Sequence, residues 1–112
     1  MTANIRELRF VRLEDYYAPL REIARMAPER EAGYRGFKDN CVFCHSLKGI
    51  GGNKGAQLMS AYDFSQEQER SRFKANFVSV HGKEGSSKQY IAQFVTDEAL
   101  KEIIRFLQDP RL

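Results

Sequence analysis

Apolar positions along the chain fall into helical stripes separated by glycine- and serine-rich gaps. Over residues 14–27, Tyr16, Tyr17, Leu20, Ile23 and Ala24 share one stripe, which predicts a helix. Pro19 suits its start, and Pro28 ends it by excluding the helical conformation before it. A second short helix is expected from about Glu29 to Asn40. A third is expected over residues 65–78, capped by Ser65, with Phe73, Phe77 and Val78 facing inward. The clearest stripe comes last: Leu100, Ile103, Ile104 and Leu107 follow i, i+3, i+4, i+7 spacing. Thr96 or Asp97 can cap that helix, Asp97 and Glu98 suit its positive end, and Pro110 stops it. Between these elements, residues 48–55 form a glycine-rich turn region, and His81 to Val95 reads as a long loop. Residues 5–13 have mixed periodicity and are expected to be extended or irregular.

The length, 112 residues, suits one small domain, and 42% apolar residues is a globular content. So small a domain buries only about two thirds of its unfolded surface, so a bulky apolar prosthetic group would add much to its core. Charge adds less. The net +3 comes from 18 basic and 15 acidic residues with the signs interleaved, without the basic stripe that nucleic acid requires. The chain contains no apolar run of 18 residues, so a membrane-spanning helix is not expected.

Both cysteines of the chain lie in the segment Cys41-Val42-Phe43-Cys44-His45. Such a pair can serve as a disulfide, a metal site or an attachment point for haem. A redox Cys-x-x-Cys is expected at a helix start beside a βαβ pattern, which is not evident here. Zinc needs four ligands. Cys41, Cys44, His45 and His81 would just supply them, but adjacent Cys44 and His45 fit poorly into one tetrahedron. Haem c, in contrast, needs this spacing. Two intervening residues let both sulfurs reach the porphyrin vinyl groups, and the following His45 then lies under the iron.

The flanks of this motif resemble class I cytochromes c over about residues 30–110. Upstream stands Gly33-x-x-x-Phe37-x-x-x-Cys41, similar to the family's first core helix. The resemblance implies that Gly33 allows close crossing with the last helix and that Phe37 packs beside the haem. Downstream, Gly55-Ala56-Gln57-Leu58 resembles the family's Gly-Pro-x-Leu segment. It implies that Leu58 packs on the haem and that a nearby backbone carbonyl accepts the His45 ring N–H. Ile104-Arg105-Phe106-Leu107 resembles the family's terminal helix. The implied fold is all-α: a small class I cytochrome c-like helical domain around one covalently bound haem c. Residues 30–112 would form that domain, and residues 1–29 an extension packed on it.

One departure bears on function. The family's distal Met is missing: the methionines are Met1, Met26 and Met59. Tyr90-Ile91-Ala92-Gln93-Phe94 lies where a Met-Pro-x-Phe segment is expected, with Ile91 at the Met place. Four distal arrangements stay open. His81 begins the same loop, and the ten residues to Ile91 can span up to ~33 Å. Lys83 or Lys88 could ligate if burial removed the proton. Met59 follows the proximal segment and is expected to face away. The last arrangement is an empty site walled by Tyr90 and Ile91.

The resemblance thus implies an electron carrier rather than an enzyme, serving a redox partner protein such as an oxidoreductase or another cytochrome. Lys48, Lys54, Lys83 and Lys88 would ring the haem edge and steer an acidic partner. The alternative is a module that binds or senses NO or CO at an open iron, with Tyr90 placed to hydrogen-bond the ligand. Attachment outside the cytoplasm is implied, hence a periplasmic or exported location. Residues 1–6 carry no apolar core of a secretory leader, so that location requires a leader already removed. Assembly as a dimer or as a subunit of a complex stays open.

Overall fold

The computed structural model describes residues 15–82, 91 and 94–112. Helical backbone covers residues 15–26 (α1). A short 3-10 turn, Pro28–Arg30, leads into α2, Glu31–Asn40. The short α3 is Leu58–Ala61, α4 is Glu67–His81 and α5 is Asp97–Leu107. The expected all-α class is observed. Among the described residues, the one β-type pairing is an isolated bridge between Leu47 and Ile50. Its turn residues Lys48 (φ 53°) and Gly49 (φ 77°) are both left-handed, as a two-residue hairpin turn requires.

The core is organised where α2 crosses α5. A Cβ on Gly33 would stand 1.9 Å from the Glu102 carbonyl oxygen and 2.7 Å from Phe106 Cβ. The two helices approach as closely as the resemblance implied because Gly33 has no side chain. Phe37 and Phe106 are completely buried at this crossing, and Tyr34 meets Phe106 edge-on with ring centres 5.8 Å apart. The stripe of α5 is buried as its spacing predicts: Leu100, Ile103, Ile104 and Leu107 all face the core. Thr96 caps the helix, its hydroxyl accepting from the Ala99 N–H at 3.1 Å.

Helix α1 shares this core. Its Leu20, Ile23 and Ala24 are buried in one cluster with Tyr34, Phe37 and Leu47. At the opposite end of the chain, the Asp109 carboxylate is fully enclosed and accepts hydrogen bonds from Arg30 and from Arg111, the latter at 2.6 and 2.8 Å. The Arg111 hydrogen bonds, more than those of Arg30, hold this carboxyl well below the usual carboxylate range.

Three expectations are corrected. Ser65 does not cap α4; its hydroxyl donates to Asp63 instead, and the helix starts two residues later, after Gln66. Val78 points outward at 57% exposure, whereas Phe73 and Phe77 are buried. Most consequentially, His81 does not open a loop. It is the last residue of α4, because Phe73, Phe77 and His81 repeat every four residues and continue one helical face. Ile91 and Phe94 are also helical, and the rest of residues 83–93 lies outside the described residues.

Candidate functional site

Helix α2 delivers the chain to the cysteine segment. The Cys41 N–H bonds to the Phe37 carbonyl (2.8 Å), and the His45 N–H bonds back to Cys41 (2.9 Å). This tight turn puts Cys41, Cys44 and His45 on the wall of a single cleft. The two cysteines are not joined in a disulfide. Loss of water around its sulfur, and secondarily the neighbouring Cys44, pushes the Cys41 thiol up to about 12. A neutral sulfur such as a thioether therefore suits that position better than a zinc-bound thiolate. Among the described residues, no group of three or more His, Cys, Asp or Glu is arranged to hold a metal ion.

The His45 ring is held on two sides. Its Nδ1 donates to the Ala56 carbonyl at 2.6 Å, which fixes the tautomer and leaves the lone pair on Nε2. A Cβ at Gly55 would lie 2.3 Å from the ring, so the bare glycine backbone forms the cradle. The Ala56 substitution for Pro, noted from the sequence, preserves this carbonyl contact.

Opposite stands His81. Its Nδ1 donates to the Phe77 carbonyl one turn back (3.0 Å), which orients the ring. The Phe77 ring lies against it at 4.5 Å between centres. The His45 and His81 ring centres are 6.3 Å apart, and both rings line the cleft. Two metal–imidazole bonds of ~2.0 Å each, with the half-widths of two five-membered rings, span about 6.4 Å. The cleft's apolar walls are Leu58, Tyr62, Phe73, Phe77, Val80 and Ile91. An apolar slot with cysteines at its wall and two imidazoles 6.3 Å apart fits a haem.

A family model for cytochrome c matches residues 30–109. The chain belongs to the cytochrome c family. This cytochrome c therefore has one covalently attached haem c and takes part in haem-based electron transfer. No curated protein and no solved structure matches the chain.

Other sequence-predicted residues of the cytochrome fall unevenly. Leu58 and Ile91 line the cleft, while Phe37 lies in the core and is not among the lining residues. Met59 faces a separate groove with Leu107 and Leu112, so it is not a ligand candidate in this arrangement. Tyr90, Lys83 and Lys88 lie outside the described residues. The expected lysine ring is modified at its two described members. Lys48 donates to the Arg111 carbonyl (2.8 Å), and Lys54 sits over the exposed Phe43 ring at 5.1 Å. Sequence reading missed Tyr62, Asn76 and Val80 on the cleft wall. For Asn76 and Val80 a signal existed: they stand beside Phe73, Phe77 and His81 at helical spacing once α4 is carried through to residue 81.

Proposed function

We propose that this cytochrome is an electron carrier with bis-imidazole iron, His45 being the proximal ligand and His81 the distal one. The observation that carries the reading is the 6.3 Å separation of two imidazoles across one apolar cleft. Cys41 and Cys44 would hold the porphyrin through thioether bonds. The haem supplies a reversible one-electron couple. The residues do the rest. His45 and His81 are each oriented by a backbone carbonyl through Nδ1, which strengthens them as donors at Nε2. Leu58, Phe73, Phe77, Val80 and Ile91 keep the ring surroundings apolar. Replacing the usual Met by His favours a lower potential. With both imidazoles held by the iron, no position would be left for substrate, in keeping with transfer to a redox partner protein. We place the haem attachment outside the cytoplasm, in a periplasmic or exported setting, on family grounds.

The test is the visible spectrum of the wild-type holoprotein and of His81→Ala. The wild type should be low-spin in both oxidation states and slow to take up CO when reduced. His81→Ala should become high-spin and bind CO rapidly. An unchanged spectrum in the variant would reject His81 as ligand, and a wild-type ferrous protein that is high-spin and binds CO at once would favour the sensing role instead.

A further inference from the structure

Helix α1 lies outside the family match, yet its Tyr16 contacts the haem-attachment loop. The Tyr16 hydroxyl accepts a hydrogen bond from the Gly51 N–H at 2.8 Å. Gly51 is packed against the attachment segment: a Cβ there would stand 2.5 Å from the His45 carbonyl oxygen and 2.7 Å from that of Val42. From this point the backbone runs along the same segment. The Gly52 N–H bonds to Val42 (2.8 Å), and the Gly55 N–H bonds to Cys44 (2.7 Å). The stretch ends at the Ala56 carbonyl, which accepts from His45 Nδ1 at 2.6 Å. Residues 51–56 therefore form a strap with Tyr16 at one end and the His45 imidazole at the other.

We infer that Tyr16 is a positioning residue for the axial ligand His45, acting through Gly51 and the strap. The inference rests on the reading of His45 as an iron ligand. The strap is short, and its intermediate hydrogen bonds, from Gly52 and Gly55, go to the segment that carries His45, so Tyr16 braces Gly51, the strap and that segment as one unit. The acceptor carbonyl on His45 Nδ1 governs how basic the opposite nitrogen is. A firm strap gives a short Nδ1–H···O bond, a more electron-rich imidazole and a better stabilised ferric state. Loosening it weakens that bond and raises the potential. Tyr16 is suited to the task because α1 is itself anchored in the core by Leu20, Ile23 and Ala24.

The experiment compares Tyr16→Phe with Ile23→Val in the holoprotein. Tyr16→Phe removes the hydroxyl and keeps the ring. Ile23→Val weakens the buried face of the same helix without removing any contact to Gly51. The readouts are the midpoint potential and the hydrogen-exchange rate of the His45 ring N–H, followed by NMR of the diamagnetic ferrous protein. Tyr16→Phe should raise the potential and accelerate this exchange by about 3- to 10-fold, the factor that corresponds to one net hydrogen bond. Ile23→Val should lower thermal stability and leave both readouts in place. Equal values for Tyr16→Phe and wild type would overturn the inference, as would equal shifts in the two variants. Failure of the underlying ligand reading is seen separately, because the wild type would then lack a low-spin spectrum before any variant is compared.

Discussion

Gly55→Ala places one methyl group against the proximal imidazole. The new carbon would lie 2.3 Å from His45 Cε1, 2.7 Å from Nδ1 and 2.8 Å from Nε2. Carbon contacts relax at about 3.5–4.0 Å, so the ring or the strap must retreat by over ~1 Å. Neither can do so cheaply. The strap is tied to Cys44 through the Gly55 N–H, and the ring is tied to Ala56. Overpacking of this kind costs about 1–3 kcal/mol, and a disrupted hydrogen bond adds about 1 kcal/mol. A total near 3 kcal/mol corresponds to a thermal midpoint lower by ~12 °C in a chain of this size. The same displacement alters His45 as a ligand, so the absorption spectrum must respond along with stability. Gly49→Ala is the control. Gly49, unlike Gly55, adopts a positive φ, 77°, and its added Cβ meets nothing within 4 Å. It should cost about 1–2 kcal/mol of backbone strain and leave the spectrum unchanged. Circular dichroism melts and spectra of both oxidation states measure the pair. A Gly55→Ala protein with wild-type spectrum and a midpoint within 2–3 °C of wild type, well short of the fall expected at ~4 °C per kcal/mol, would show that the ring is not cradled in this way.

Two further outcomes follow from the core. Gly33→Ala must separate α2 from α5, since its Cβ would overlap the Glu102 carbonyl; a loss of about 3 kcal/mol or more is expected in denaturant titration, with Gly33→Ser worse still. Asp109→Asn breaks a buried carboxylate's pairing with two arginines and should cost about 3 kcal/mol at neutral pH. The folded-state pKa of Asp109 is depressed, so its contribution is fully present above the unfolded value of ~3.9 and is lost as pH falls toward the folded value. The difference in stability between wild type and Asp109→Asn, measured by melts across pH, should therefore narrow below about pH 4; a difference constant down to about pH 2 would contradict the assignment.

The helices were legible because local spacing and burial coincide in them. Leu100, Ile103, Ile104 and Leu107 announce one buried face of α5, and Thr96 or Asp97 its cap, without knowledge of any partner; the fold selects Thr96. The chemistry of Cys41, Cys44 and His45 was equally local, since five consecutive residues bring both sulfurs and the imidazole to one wall. Long-range juxtapositions were not legible. Nothing in linear spacing says that His81, 36 residues beyond His45, faces it across a cleft; that depends on where α4 ends and how it packs. Carrying the period of Phe73 and Phe77 four residues further would have placed His81 on the helix, but not its distance from His45. The same holds for Lys48, which was expected in a lysine ring at the haem edge and which folding turned to the Arg111 carbonyl. It holds too for Tyr16, whose hydroxyl meets Gly51 only because α1 settles on the core. A residue's periodicity follows from its neighbours in the chain, whereas its partner across a cleft follows from how whole helices pack, which is a property of the assembled core.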